Sequence, residues 1–319
     1  MKISVLGCGR WGTFLAWYSS QVGHKVKIWG RKDSTKFLEL STKRQNQYLA
    51  LPENLDLTNS LENALSFGET IIISISTQGF RSLCKKIESF QVSDKTFILC
   101  MKGIETTTGK RLTQIFREEI HTKNEVAVWL GPGHVQDFVN RKPNVMLLGS
   151  ENIETTKFLV EQFKSKLIRF YYGQDMIGNE IGAASKNVMG IAAGMLDGLK
   201  LSNLKGALMA RGIREISRLI RVMGGNELTA YGLSHLGDYE ATLFSSHSHN
   251  RKFGESLVLG KKFDKLAEGV PTLQGLMILS KNYEVELPIC QAVHSIIFEK
   301  QNPKKVLKNL FIRSIKFEF

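Results

Sequence analysis

Short apolar runs separated by helical patterns fill the first half of the chain. Lys2–Leu6 and Lys25–Trp29 are strand-length and β-branched, and Thr13–Val22 between them has helical spacing. Further apolar runs of strand length recur downstream, at Thr70–Ser76, Thr96–Met101, Val126–Leu130, Asn144–Leu148 and Ile168–Tyr172. Continuous apolar runs of this length are typical of a sheet that is buried on both faces. The pattern therefore predicts an α/β domain.

The pattern changes after Gly173. From there onward the apolar positions recur almost wholly at helical spacing, as in Asn203–Met223 and Thr272–Tyr283. A chain of 319 residues is also longer than a single core usually supports. We therefore expect two domains, an α/β Rossmann-like N-terminal domain at residues 1–173 and an all-α C-terminal domain at residues 174–319.

A glycine-rich loop directly follows the first predicted strand. Gly7, Gly9 and Gly12 form a GxGxxG motif between a strand and a helix, within about the length that a βαβ dinucleotide-binding unit needs. We expect Gly7 to make the tight turn and Gly9 to let the backbone approach a pyrophosphate. Gly12 would allow close packing of helix on strand. The motif predicts a dinucleotide cofactor at the start of the helix.

The residues after the second predicted strand bear on the choice between NAD and NADP. Units that bind NAD carry an acidic residue there for the ribose hydroxyl, whereas an arginine accommodates the 2′-phosphate of NADP. This chain has Arg31, which favours NADP as the preferred cofactor. Asp33 lies close enough to leave NAD open, and Arg31 could instead simply face solvent.

Polar and glycine residues follow several predicted strands. Ser76–Gln78, Lys102–Gly103 and Gly131–His134 each come directly after a buried run. Ligands of such sheets gather at the carboxyl ends of the strands. Lys102 is therefore either a lysine that contacts a ligand or an ordinary loop lysine.

One predicted helix of small residues carries a lysine at its centre. Asn179–Gly198 has helical period and is rich in glycine and alanine, yet Lys186 and Asn187 lie side by side in its middle. An ammonium in an apolar run costs free energy unless it has partners, and buried lysines readily change their pKa. The segment is either a tightly packed helix whose lysine reaches the surface or part of a catalytic site.

A polar run, Ser245–Gly254, lies between the helical segments of the second half. It is dense in hydrogen-bond donors, which suits a phosphate, although a solvated loop has the same composition. Its histidines, His247 and His249, have no third ligand at a suitable spacing, so we expect no metal site.

Charge and composition exclude several classes of protein. The net charge of +13 comes from scattered basic pairs and not from a stripe, so we expect phosphorylated small molecules as partners and no nucleic acid. No apolar run reaches the roughly 18 residues that span a bilayer, so we expect no stable membrane insertion. The chain begins directly with a predicted strand, which indicates a cytoplasmic protein. The four cysteines are scattered without CxxC spacing, which argues against disulfides and zinc.

Nine segments, taken in order, carry a family resemblance. They are GCGRWGT, NQYL with LPENL, MKGIETTTG, GPGHVQDF, GAASKNVMGIAAGMLDG, ALMARGIREISRL, LGDYEAT, NRKFG and AEGVPT. Together they resemble the bacterial NAD(P)-dependent glycerol-3-phosphate dehydrogenase family over nearly the whole chain. The resemblance implies reversible hydride transfer between NAD(P)H and dihydroxyacetone phosphate, which supplies glycerol 3-phosphate for phospholipid synthesis. A homodimer is possible.

The resemblance also implies roles for single residues. Lys186 matches the catalytic lysine, Asp238 the acid that pairs with it, and Lys102 a second lysine that contacts substrate and cofactor. The other positions that match cofactor contacts are Gly7, Gly9, Arg10, Trp11, Gly12, Arg31, Val135, Leu266 and Glu268. The other positions that match the substrate pocket and its loop are Gly131, Gly133, Asn187, Thr242, Ser248, His249 and Asn250.

Two departures from the family pattern fall on the substrate side. His249 stands where the family usually has an arginine that holds the phosphate, and Gly133 replaces a serine. A paralogue that reduces another small phosphorylated or phosphonate ketone is therefore a second hypothesis. A third is a non-catalytic NADP-binding regulator, although Lys102, Lys186 and Asp238 together argue against it. GPGHVQDF and LGDYEAT argue against a hydroxyacid dehydrogenase of the 6-phosphogluconate type.

Overall fold

A computed structural model describes residues 1–312 and divides into two compact units. The first unit comprises Met1–Lys102 and Lys110–Glu180. The second comprises Gly103–Gly109 and the chain from Ile181 onward. The chain therefore passes between the units three times.

The first unit is built on a single eight-stranded sheet. Its strands are β1 (Lys2–Leu6), β2 (Lys25–Trp29), β3 (Asp56–Thr58), β4 (Thr70–Ile73), β5 (Thr96–Leu99), β6 (Glu125–Leu130), β7 (Asn144–Ser150) and β8 (Ile168–Gly173). They lie in the order β3-β2-β1-β4-β5-β6-β7-β8. Neighbouring strands are parallel except for the antiparallel pair β6 and β7. The strand order reverses between β1 and β4, and ligands of such sheets bind at that point.

Seven helices accompany the sheet in the first unit. They are α1 (Arg10–Gln21), α2 (Thr35–Lys43), α3 (Leu61–Phe67), α4 (Phe80–Glu88), α5 (Leu112–Glu119), α6 (Val135–Val139) and α7 (Ile153–Phe163). Strand residues such as Ile3, Ile72 and Ile98 are fully buried. The predicted α/β Rossmann-like fold is confirmed. The sequence missed β3 because its three residues, Asp-Leu-Thr, form no apolar run.

In the second unit, the described chain from Ile181 onward is helical. Its helices are α8 (Met176–Gly198), whose first residues belong to the first unit, α9 (Lys205–Val222), α10 (His249–Val258), α11 (Gly269–Asn282), α12 (Pro288–Ile297) and α13 (Pro303–Phe311). A 3₁₀ turn, Leu236–Asp238, is followed by a π-helical turn, Glu240–Phe244. The predicted all-α character of this half is confirmed. Among residues 1–312, no helix is long and apolar enough to cross a bilayer.

The polar run at Ser245–Gly254 is not a loop throughout. Helix α10 begins at His249 because the Ser248 hydroxyl accepts the backbone N–H of Arg251 at 3.3 Å, which caps the helix. The interpretation of the whole run as a solvated loop is therefore wrong. The hydrogen-bond donors of His249 and Asn250 lie in the first turn of a helix.

Candidate active site

Lys186 and Asp238 form a buried ion pair in the second unit. The Lys186 Nζ lies 2.8 Å from the Asp238 Oδ2 and donates to the Thr242 Oγ1 at 2.7 Å. Only 7% of Lys186 and 1% of Asp238 is exposed. The lysine that the sequence places inside an apolar helix therefore does not extend to solvent. Its charge is balanced by the carboxylate that the family resemblance assigns to it.

Two consecutive turns bring the partners of Lys186 to α8. Asp238 ends the 3₁₀ turn and Thr242 lies in the π-helical turn that follows. A β-carbon on Gly190 would lie 2.8 Å from the Thr242 Cγ2, so the glycine one turn after Lys186 lets this segment approach the helix. π-Helical turns are rare and occur frequently at functional sites.

A second hydrogen-bonded group lies beside Lys186. The Asn250 Nδ2 donates to the Asn187 Oδ1 at 3.0 Å, and the Asn250 Oδ1 accepts the backbone N–H of Gly269 at 2.9 Å. These contacts tie α8, α10 and the start of α11 together. The sequence-predicted residues Lys186, Asn187, Asp238, Thr242 and Asn250 thus belong to one connected cluster of the second unit.

The remaining predicted residues of the second unit flank this cluster. Ser248 is buried and caps α10, and His249 is half-buried with its ring 6.4 Å from that of Phe263. Glu268 immediately precedes α11, and burial raises its pKa. Leu266 is 61% exposed, so its side chain packs little against the described protein.

A second buried lysine–aspartate pair connects α8 to α10. Asp197, near the end of α8, accepts from the Lys205 Nζ at 2.7 Å, the Arg251 Nε at 2.6 Å and the Ser202 hydroxyl at 2.7 Å. The Arg251 guanidinium, two residues after His249, is thus paired with a carboxylate of α8. The sequence does not reveal this cluster, since only the folded chain joins Asp197 to Lys205 and Arg251.

The glycines of the GxGxxG motif have different surroundings in the first unit. Gly7 has a φ of +128°, and a β-carbon there would lie 2.1 Å from the Ser74 carbonyl oxygen. A β-carbon on Gly12 would lie 2.1 Å from the Gly7 carbonyl oxygen. At Gly9, which caps α1, a β-carbon would have no described atom within 4 Å. This space beside the start of a helix fits a pyrophosphate.

The first turn of α1 also fits a cofactor contact. The indole N–H of Trp11 is buried and has no hydrogen-bond partner among the described residues. Such a buried donor costs free energy unless a ligand or water satisfies it. The ring of Trp11 packs 5.0 Å from that of Phe14 and 6.2 Å from that of Phe138. The guanidinium of Arg10 lies 5.8 Å from the ring centroid of Tyr48.

Gly133 has a structural reason to be glycine. Its φ is +139°, and a β-carbon there would lie 2.3 Å from the Phe138 Cε2. The serine that the family usually has at this position would therefore require both backbone and ring to move. This departure from the family pattern belongs to the local conformation of the loop.

Lys102 and the loop after β6 meet within the first unit. The Lys102 Nζ donates to the Gly131 carbonyl oxygen at 2.7 Å. Val135 is buried in the core of the unit, so its side chain is not available to a cofactor. Arg31 and Asp33 both lie exposed after β2, which is consistent with either cofactor.

Comparisons with known proteins agree over both halves of the chain. The family model described as NAD-dependent glycerol-3-phosphate dehydrogenase N-terminus matches residues 2–156, and its C-terminal counterpart matches residues 175–308. A glycerol-3-phosphate dehydrogenase (NAD(P)+) of Fusobacterium nucleatum is 36% identical, over 100% of this chain and 98% of that protein. One of Thermoanaerobacter sp. is 35% identical, over 100% and 99%.

Solved structures show the same relationship. The glycerol-3-phosphate dehydrogenase of Coxiella burnetii is 29% identical, with a TM-score of 0.90 over 98% of both chains. The Plasmodium falciparum enzyme, 21% identical, has a TM-score of 0.85 over 99% of this chain and 97% of that one, which shows the shared fold. The resemblance carried by the nine segments is confirmed, and the chain belongs to the NAD-dependent glycerol-3-phosphate dehydrogenase family.

Proposed function

We propose that the protein reduces dihydroxyacetone phosphate to sn-glycerol 3-phosphate with NADPH or NADH, reversibly, and so supplies phospholipid synthesis. The observation that carries the proposal is the buried Lys186–Asp238 pair at 2.8 Å, in a chain whose relatives are named for this reaction. Moving two charges out of water costs free energy that a hydrophobic pair would not cost. A buried charged pair of this kind is expected where the reaction needs a proton donor that is held in place.

Lys186 is the proposed acid and base. The reduced nicotinamide, when bound, supplies the hydride to the carbonyl carbon. Lys186 donates a proton to the carbonyl oxygen as negative charge develops there, and its amine takes the proton back in the oxidation. Asp238 and Thr242 fix the ammonium. Because the pair is buried, its field is weakly screened by water.

The start of α10 is the proposed phosphate end of the substrate pocket. Ser248, His249 and Asn250 lie at this helix start, where backbone N–H groups favour an anion. Asn187 is connected to the same place through Asn250. Lys102 is proposed to contact both substrate and cofactor.

The proposed cofactor site lies in the GxGxxG loop and the first turn of α1. The space beside Gly9 and the buried indole N–H of Trp11 support it. Arg31 supports a preference for NADP, because a guanidinium pairs well with a 2′-phosphate. On this proposal residues 1–173 bind the dinucleotide and residues 174–319 bind the substrate.

Two finer features are part of the proposal. A cytoplasmic location suits a protein in which no described helix could cross a bilayer. A homodimer is proposed by analogy with many soluble enzymes, among which two-fold dimers are the commonest assembly.

Another small phosphorylated ketone is the second candidate substrate. His249 supports it, since this residue differs from the family pattern on the substrate side. This candidate keeps the roles of Lys186 and Asp238 and changes only the group that the pocket accepts.

An assay of NADPH oxidation against dihydroxyacetone phosphate and a panel of related ketones tests both candidates. We expect dihydroxyacetone phosphate to have the highest kcat/KM, and Lys186→Ala to lower kcat by about 100-fold or more with little change in NADPH binding. Lys205→Ala is the matched control because it also removes a buried lysine paired with an aspartate. Because the Lys205 Nζ also donates to the carbonyl of Leu243, which follows Thr242, its kcat should fall, but far less than that of Lys186→Ala.

The outcomes separate the hypotheses. Activity on another ketone alone would transfer the proposal to the second substrate class. NADPH binding without turnover of any ketone would indicate a regulator. Unchanged turnover in Lys186→Ala would remove this lysine from the chemistry.

A further inference from the structure

A buried histidine and tyrosine lie directly behind the Lys186–Asp238 pair. His235 and Tyr239 are both fully buried. The His235 Nδ1 lies 2.8 Å from the Gly182 carbonyl oxygen, and its Nε2 lies 2.7 Å from the Tyr239 hydroxyl. Neither side chain belongs to the proposed acid–base pair, and no segment that resembles the family assigns either of them a role.

The partners fix the protonation of this pair. A carbonyl oxygen only accepts hydrogen bonds, so the Nδ1 of His235 carries the proton and its Nε2 accepts from Tyr239. Burial, as the largest cause, and the nearby Lys186 ammonium together lower the pKa of His235 to about 4, although the Gly182 carbonyl and the Asp238 carboxylate oppose the shift. Burial raises the pKa of Tyr239, and so does the Glu215 carboxylate. The imidazole is therefore neutral and the hydroxyl protonated at pH 7.

The hydrogen-bond chain spans both elements that carry the ion pair. Gly182 lies one helical turn before Lys186, and in an α-helix its carbonyl also accepts the Lys186 backbone N–H. At the other end, the Asp238 backbone N–H donates to the His235 carbonyl at 3.1 Å, and Tyr239 is the next residue. One imidazole thus joins the backbone that holds Lys186 to the turn that holds Asp238.

The surrounding residues make room for this contact. A β-carbon on Gly182 would lie 3.0 Å from the His235 Cβ and 3.3 Å from the Ser234 Oγ. A larger residue at position 182 would push the turn away from α8. The Ser185 hydroxyl lies 3.4 Å from the His235 Nδ1 and donates to the Ile181 carbonyl at 2.7 Å.

We propose that His235 is a positioning residue for the reduction, which sets the distance and direction between Lys186 and Asp238 through Gly182 and Tyr239. The inference rests on the proposed function, because it assigns a purpose to the same ion pair. A neutral imidazole suits this role. It connects two backbone segments without competing with Lys186 for the Asp238 carboxylate.

Kinetics of His235→Leu and His235→Asn test the proposal. Leucine fills the site and loses both hydrogen bonds, whereas the asparagine amide keeps a donor near the position of the Nδ1. We expect His235→Leu to lower kcat about tenfold, with the KM for dihydroxyacetone phosphate and the NADPH dissociation constant within twofold of the parent. His235→Asn should recover kcat to within about threefold, and Tyr239→Phe should lower it about threefold.

His24→Leu is the matched control for loss of stability. His24 is also a buried histidine bound to a carbonyl, with its Nε2 3.0 Å from the Gln162 oxygen in the first unit. Its leucine variant should lower the Tm as His235→Leu does and leave kcat unchanged. The proposal is overturned if His235→Leu keeps the parent kcat, or if His235→Asn is no better than His235→Leu.

Labelling of Lys186 distinguishes failure of this proposal from failure of the proposed function. In His235→Leu, acetic anhydride at pH 8 should acetylate Lys186 about threefold faster than in the parent, measured by peptide mass spectrometry. The reason is that a lysine whose carboxylate partner is no longer held in place leaves its buried position more often and meets the reagent. If the parent reduces no ketone, the proposed function fails. The labelling rates then still test whether His235 positions Lys186. Equal labelling rates would then overturn the positioning role.

Discussion

The GxGxxG loop and helix α8 are both rich in glycine, yet their glycines face different surroundings. A β-carbon on Gly9 would have no described atom within 4 Å, whereas a β-carbon on Gly194 would lie 1.8 Å from the Arg251 carbonyl oxygen. Opposite Gly194, Gly254 of α10 would place a β-carbon 2.0 Å from the Ile191 carbonyl oxygen. The loop keeps room for a ligand, and the helix uses its small residues to pack against protein.

The difference shows that glycines contribute to the candidate site of each unit in a different way. In the loop, Gly7 and Gly12 are required by the backbone itself, and Gly9 alone leaves space for a ligand. In α8, close packing brings α10 and the turns with Asp238 and Thr242 against the helix. The glycines of α8 therefore act on Lys186 indirectly, by bringing its partners within hydrogen-bonding distance.

Gly194→Ala should give the largest loss of stability. The added methyl group would overlap the Arg251 carbonyl, so α8 and α10 must separate, at a cost of about 3 kcal/mol that helix propensity only partly offsets. For a protein of this size we expect the Tm to fall by about 6 °C or more, measured by thermal unfolding.

Gly206→Ala is the control for that measurement. Gly206 is an exposed residue of α9, and a β-carbon there would meet nothing within 4 Å. Its Tm should stay the same or rise slightly. If Gly194→Ala unfolds at the parent temperature, α8 and α10 are not in the close contact described.

Gly9→Ala should weaken cofactor binding and leave the stability of the protein nearly unchanged. Its φ of −76° suits any residue and the site is open, so the Tm should change by no more than about 2 °C. The methyl group would occupy the space of the pyrophosphate, so the NADPH dissociation constant should rise about tenfold, measured by calorimetry. Unchanged NADPH affinity would mean that the cofactor does not approach Gly9.

Arg31→Ala should give the smallest effect of the three. Arg31 is exposed, so its attraction for a 2′-phosphate is partly screened by water. We expect the dissociation constant of NADPH to rise about fivefold and that of NADH less than twofold. Lys32→Ala, which removes the neighbouring positive charge, should change both by less than twofold. An equal effect of Arg31→Ala on both cofactors would end the argument for NADP.

Most of the fold was predictable because its signals are local. The apolar runs locate seven of the eight strands, and the glycine motif follows the first of them. The antiparallel direction of β7 was not predictable, because an apolar run has no orientation. Helix α10 was hidden because its first turn, His-Asn-Arg-Lys, is polar, although Ser248 is a usual capping residue.

The site was only half predictable for a related reason. Lys186 is conspicuous because a charge interrupts an apolar helix, but its pairing with Asp238 came from the family resemblance. Nothing in the sequence marks His235, since a single histidine between serine and leucine completes no motif. Its full burial and its contact with Gly182 depend on how the turn packs on α8.

The short Gly103–Gly109 segment is synthesised long before the helix of the second unit against which it packs. Ile104 is fully buried, and a β-carbon on Gly275 of α11 would lie 2.6 Å from its Cγ2, so the segment packs against a helix made much later. A ribosome that adds about 5–20 residues per second leaves Ile104 uncovered for on the order of ten seconds. A gene fragment that begins at Ile181 would lack the segment, and Gly275 would lose the side chain that covers it.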